Sequence, residues 1–154
     1  MSLVEHAVDG DVTQWVTFRL GEETYGVDVL KVQEVLRVTE ISPVPGAPPY
    51  VLGIINLRGN VVTVIDTRTR FGLPPKEVDE ASRIVVIDHD RKVLGMLVDS
   101  VSEVAYVPTA KVEPPPNVGT DESARFISGV CNMENELLIL VDLDKLLADE
   151  AWSS

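Results

Sequence analysis

The chain has 154 residues, with 25 acidic against 13 basic side chains and a net charge of −12, enough for one domain or two very small units that share a core. A field of that sign repels phosphate backbones and anionic membranes, so no nucleic-acid partner is expected. No apolar run approaches the ~20 residues that span a bilayer, so no direct membrane insertion is expected either.

The N-terminus, MSLVEHAVDGD, is acidic and lacks the basic start and long apolar stretch of a signal peptide. Cys131 is the single cysteine, so no intrachain disulfide can form and a reducing cytoplasm is the expected home. No phosphate-cradling, dinucleotide, zinc-protease, nucleophile-elbow or CxxC motif occurs. His6 lies in a polar tail, and His89 lies in His89-Asp90-Arg91-Lys92, which reads as a surface turn. Neither histidine has neighbours spaced for a metal or a catalytic dyad, and Cys131 in the apolar run Ile127–Met133 reads as a buried thiol. The expectation is therefore a protein that is not an enzyme and holds no cofactor or metal.

From residue 15 onward valine and isoleucine fall in short runs of period two. Val16, Phe18 and Leu20 share one side of a strand, with Trp15, Thr17 and Arg19 on the other. Gly21 to Thr24 turns the chain into Tyr25–Val29. Val29, Val32, Val35 and Leu36 are spaced for one side of a short helix. Ile41 to Pro49 carries four prolines and reads as an irregular connection. Strands Val51–Leu57 and Val61–Ile65 flank the tight turn Arg58-Gly59-Asn60, after which Asp66 is placed to cap a short helix ended by Gly72.

The second half repeats the plan. A hairpin runs through Ile84–Ile87 and Val93–Val98, Asp99 is placed to cap a short turn, and Val107 to Ala124 reads as a second irregular stretch. Strands Ile127–Met133 and Leu137–Val141 follow, and Asp142 caps a last helix, Leu143–Ala151. Gly26, Val27, Val29, Val32, Glu34 and Val35 recur as Gly95, Met96, Val98, Val101, Glu103 and Val104, an offset of 69. Gly53, Asn56, Leu57 and Asp66 recur as Gly129, Asn132, Met133 and Asp142, an offset of 76, the extra 7 falling in the longer proline-rich loop. Two copies of about five strands each predict two small barrels pressed together with a groove at their seam.

Tyr25 to Val35 and, more specifically, Pro45 to Gly59 resemble the two signatures of the CheW coupling-protein family of bacterial chemotaxis, and the likeness covers about residues 15–148. The resemblance implies a mainly β fold of two intertwined five-stranded SH3-like barrels with short helices, residues 1–14 and 149–154 being tails. It implies a non-catalytic adaptor that couples the cytoplasmic tips of transmembrane chemoreceptors to the regulatory domain of the histidine kinase CheA. Assembly into rings beneath the receptor array, by pairing with the kinase or by self-association, is within what it implies.

Carried over by residue, the resemblance implies receptor binding at Arg58, within Asn56-Leu57-Arg58-Gly59, and at Glu34. It implies kinase binding at Val32 and Gly53, and a second kinase contact at Glu23 and the loop Glu113 to Val118. That loop departs from the family pattern: it holds Pro114-Pro115-Pro116, and Glu113 stands where other members can carry a basic residue. Taken alone, Arg58 is a solvated turn cation, Val32 a core residue, and Gly53, repeated as Gly129, a place of close backbone approach. Two other readings stay open: an adaptor of the same fold in pilus motility or biofilm signalling, and a small β-barrel binding a ligand or nucleic acid. The acidic charge and an aromatic content of 5% speak against a base-stacking surface.

Overall fold

A computed structural model describes residues 11–115 and 124–148. Ten strands run in chain order: β1 Val12–Leu20, β2 Glu23–Asp28, β3 Val32–Arg37, β4 Val51–Leu57, β5 Asn60–Asp66, β6 Arg83–His89, β7 Lys92–Val98, β8 Ser100–Pro108, β9 Ile127–Asn132 and β10 Leu137–Val141. Two single-turn helices, α1 Thr67–Arg70 and α2 Leu143–Leu146, follow β5 and β10. Asp66 Oδ1 accepts the Arg68 N–H at 3.1 Å and Asp142 Oδ1 accepts the Lys145 N–H at 3.2 Å, so both expected caps form.

The strands make two sheets, ordered β8-β1-β2-β10-β9 (barrel A) and β3-β6-β7-β5-β4 (barrel B). Matching β1–β5 to β6–β10 by the internal repeat turns one order into the other, including the parallel pairs β2·β10 and β7·β5. Each half has therefore exchanged its first two strands with the other half. Neither repeat forms a barrel by itself, which is the physical content of the intertwined architecture.

Each five-stranded sheet curls until its two edge regions meet. In barrel B, Ser42, beyond β3, bridges Ile54 of β4 through hydrogen bonds of 2.8 and 2.9 Å. In barrel A, Glu113, beyond β8, bridges Val130 of β9 at 2.8 and 2.9 Å. Gly53 and Gly129 lie under these bridges. A Cβ on Gly129 would stand 2.9 Å from the Glu113 carbonyl oxygen, and one on Gly53 would overlap that of Ser42. Gly53 also sits at φ +150°, which side-chain-bearing residues rarely adopt.

Buried side chains divide into three clusters. Ile55, Val62, Val64, Ile84 and Val86 fill barrel B. Val107, Cys131, Leu138 and Leu140 fill barrel A, and burial pushes the Cys131 thiol up. The largest cluster lies between the barrels and includes Val16, Phe18 and Leu20 of β1 with Val85, Ile87 and Met96 of β6 and β7. The seam where the sequence places a groove is thus packed on its inner side. Within it Phe18, Tyr25, Phe71 and Phe126 make a run of ring contacts with centroids 5.5–5.7 Å apart.

Several expectations need correction. Val29–Leu36 is not a helix: only Val29–Lys31 forms a 3-10 turn, and β3 begins at Val32. The apolar spacing suits either element, but β3 pairs with β6 and buries Val32, Glu34 and Leu36 more than Gln33, Val35 and Arg37. The segment after Asp99 is the long strand β8 rather than a capped turn, because it completes barrel A beside β1. β8 also takes Val107 and Pro108 out of the expected irregular stretch, and a 3-10 turn, Thr109–Lys111, follows. β1 starts at Val12, inside the expected tail, because its first residues pair with Val107 and Pro108. The last helix ends at Leu146, and residues 149–151 lie outside the described chain. His89 is not a free surface residue: its side chain is 17% exposed and its Nε2 lies 2.6 Å from Asp144 Oδ1 on α2.

Asp99, freed from capping, joins the two barrels. Its Oδ1 accepts Arg68 Nε and its Oδ2 accepts Arg68 Nη2, both at 2.8 Å, and Oδ2 also accepts the Gly21 N–H at 2.8 Å. Burial alone would push the Asp99 carboxyl up. The hydrogen bonds from Arg68 and Gly21, with the Arg68 charge, outweigh that and hold it below the usual carboxylate range. The folded-state pKa is thus below the unfolded one, so the stabilisation is full above about pH 4 and is lost as pH falls through the lowered value. Urea unfolding of wild type and Asp99→Asn across pH 2–7 is expected to show a stability gap at neutral pH that closes on acidification (pH range set by the ordinary carboxylate value of about 3.9).

Candidate protein-docking site on barrel B

The β4–β5 connection is a two-residue turn, since Leu57 pairs with Asn60. Arg58 and Gly59 both have positive φ, +51° and +90°, the signature of a type I′ turn whose twist suits a hairpin. Asn56 Oδ1 accepts the Gly59 N–H at 2.9 Å and pins the turn from below. Glycine adopts this conformation freely at residue 59, and Arg58 shares it, which local sequence does not announce.

The guanidinium of Arg58 forks onto the Glu34 carboxylate, Nη1 to Oε1 at 3.4 Å and Nη2 to Oε2. Glu34 lies on β3 and Arg58 beyond β4, the two edge strands of sheet B, so barrel closure brings together residues 24 apart in sequence. The Arg58 side chain stays 65% exposed while that of Glu34 is 24% exposed. The carboxylate therefore acts as an anchor, and the remaining guanidinium donors face solvent.

Beside Arg58 lies a cavity of about 280 Å³ lined by Gln33, Leu57, Arg58, Asn60, Val61, Val62 and Val93. Val61 is 66% exposed, and Val93 is exposed too. Sequence reasoning did not single out these valines. Their signal was weak: Val61 and Val93 are apolar residues at steps of β5 and β7 that end up on the outer face, where strands more often carry polar groups.

Barrel A carries the repeat-equivalent mouth, a cavity of about 560 Å³ lined among others by Thr24, Glu103, Met133, Glu134, Glu136 and Leu138. The offsets place Glu103 at the Glu34 position and Glu134 at the Arg58 position. A cation–anion pair in one barrel is thus two carboxylates in the other. The barrel A cavity is also lined by Arg19, but that guanidinium comes from β1 and lies 3.9 Å from Glu136, whereas barrel B carries its guanidinium on the hairpin turn itself.

The remaining expected site residues separate. Val32 is half-buried against the inter-barrel core, and Gly53 is buried under Ser42. Glu23 is exposed at the start of β2 in barrel A. Glu113 forms the closing bridge of barrel A, while Val118 lies outside the described residues. No group of three or more His, Cys, Asp or Glu among the described residues is placed to hold a metal. No helix among them is long and apolar enough to cross a membrane.

Duplicated, strand-exchanged barrels with one cationic hairpin mouth define a β-barrel interaction module. The CheW-like domain profile matches residues 14–151, and the chain belongs to that family. It is 34% identical over 151 residues to the chemotaxis protein CheW of Treponema pallidum, covering 96% of this chain and 89% of the relative. It is 34% identical over 146 residues to that of Rhizobium meliloti, covering 95% and 94%. The crystal structure of the scaffolding protein TtCheW from Thermoanaerobacter tengcongensis superposes with a TM-score of 0.79 at 34% identity, covering 85% of this chain and 89% of that one.

Proposed function

We propose that this chain is a non-catalytic cytoplasmic adaptor of a chemotaxis array, joining the cytoplasmic tips of chemoreceptors to the regulatory domain of CheA. The observation that carries this reading is the Arg58 guanidinium, held outward by an I′ turn and the Glu34 carboxylate above a valine-rimmed cavity. A receptor helix hairpin exposes carbonyls and carboxylates near its tip together with apolar side chains. The guanidinium fork suits the first, and Leu57, Val61 and Val93 suit the second. Asn56 and Gly59 shape the turn, and Glu34 fixes the arginine.

Kinase binding is assigned to Val32, Gly53 and Glu23, with Val118 in the same assignment, and self-association in rings uses the same faces. Val32 and Gly53 shape the β3–β4 edge of barrel B from beneath, whereas Glu23 offers a charge directly. Calorimetric titration of the full chain with a receptor tip fragment tests the assignment. Arg58→Ala is expected to weaken receptor binding by about tenfold or more, the cost of an interface hot spot, and to leave kinase binding unchanged. Equal receptor affinity for wild type and variant would overturn the assignment.

A further inference from the structure

Resting on the reading of Glu23 as a kinase contact, we infer that Tyr25, Arg68 and Asp99 are positioning residues that hold the β1–β2 turn and present the Glu23 carboxylate to a cationic side chain of the kinase regulatory domain. Leu20 pairs with Glu23, so Gly21 and Glu22 alone make the turn, and Gly21 has φ +66° where a II′ turn takes glycine. One side of the turn is tied by the Gly21 N–H to Asp99 Oδ2, at 2.8 Å. Asp99 is in turn locked by two bonds from Arg68, whose Nη1 donates to the Pro74 carbonyl at 2.8 Å. On the other side the buried Tyr25 hydroxyl donates to Glu23 Oε1 at 3.1 Å. An exposed carboxylate held in this way loses little side-chain freedom when it meets a partner.

The internal repeat separates this brace from what the sheet itself needs. At the repeat-equivalent β6–β7 turn, Lys92 stands for Glu23, Leu94 for Tyr25, Leu30 for Asp99 and Asp144 for Arg68. Barrel B builds the same strand order with Leu30 left 85% exposed and with a His89–Asp144 contact in place of the arginine fork. The sheet therefore does not require the brace, and the brace occurs only beside the turn that carries Glu23.

Titration of the full chain with the kinase regulatory domain tests the inference, with receptor-tip binding as the control and with Glu23→Gln, Tyr25→Phe, Arg68→Gln and the double variant Glu23→Gln/Tyr25→Phe. Tyr25→Phe keeps the buried ring and removes only the hydroxyl, so it remains informative if Arg68→Gln folds poorly. Glu23→Gln is expected to weaken kinase binding about tenfold, and Tyr25→Phe and Arg68→Gln about three- to tenfold. The double variant is expected to lose no more than Glu23→Gln alone, and receptor binding is expected to stay at the wild-type value. Loss with Glu23→Gln but wild-type kinase binding with Tyr25→Phe and Arg68→Gln would overturn the positioning role alone. Equal weakening of receptor and kinase binding would overturn it as well, by showing a general structural effect. Wild-type kinase binding with Glu23→Gln would instead remove the underlying assignment of Glu23, and the inference with it.

Discussion

Phe71→Ala is expected to lower stability by about 4 kcal/mol, the usual cost of emptying a large aromatic site in a core. Phe71 is fully buried at the end of α1, with Tyr25 against its edge at 5.5 Å and Phe126 stacked on it at 5.5 Å. These rings come from β2, from the residue after α1 and from the residue before β9, so they cement barrel A to barrel B. Differential scanning calorimetry is expected to show a melting temperature lower by roughly 8–16 °C for a chain of this size. The barrel B cluster around Ile55 and Val62 is a separate one. The Arg58 mouth is therefore expected to keep its geometry, and with it the receptor affinity proposed for it, at temperatures where the variant is folded. A melting shift below about 2 °C would show that the aromatic run carries little of the inter-barrel stability.

Gly53→Ala follows as the largest backbone effect. The added methyl would meet the Ser42 carbonyl oxygen, which is fixed by the closing bridge, and alanine at φ +150° is strained besides. Overpacking and backbone strain each cost about 1–3 kcal/mol, so the sum is on the order of 3 kcal/mol or more. Gly59→Ala is the matched control: it has positive φ but open space around the added methyl, and about 1 kcal/mol is expected from strain alone. Urea denaturation of both variants measures the difference. Equal losses would show that the Ser42–Ile54 closure yields easily. Because Gly53 is buried, any weakening of kinase binding by this substitution is expected to come from a displaced β3–β4 edge rather than from a lost contact.

The barrels were readable from residues because hairpins and repeats are local. Period-two apolar residues mark β1 and β5, glycine marks the turns at Gly21 and Gly59, and Asp66 and Asp142 cap their helices as their positions suggest. The strand exchange left no such mark, since β1 and β2 carry the same alternation whichever barrel they join. β3 was hidden because Val29, Val32, Val35 and Leu36 satisfy a helical spacing, and only pairing with β6 decides against it. Asp99 looked like a cap because nothing nearby reveals that Arg68, 31 residues earlier, closes on it. Arg58 and Glu34 were each readable as candidates, but their union depends on barrel closure. Val61 and Val93 emerge only once the β-hairpins stand side by side.

An adaptor must hold its two partners at once, and this is the property that sets the reading apart from a general β-barrel binder. The direct measurement is a sequential calorimetric titration: the chain is first saturated with the CheA regulatory domain, and the receptor tip fragment is then added. The tip is expected to bind the preformed complex at least as tightly as it binds the free chain, through the Arg58 mouth. Mutually exclusive binding of the two partners would contradict it.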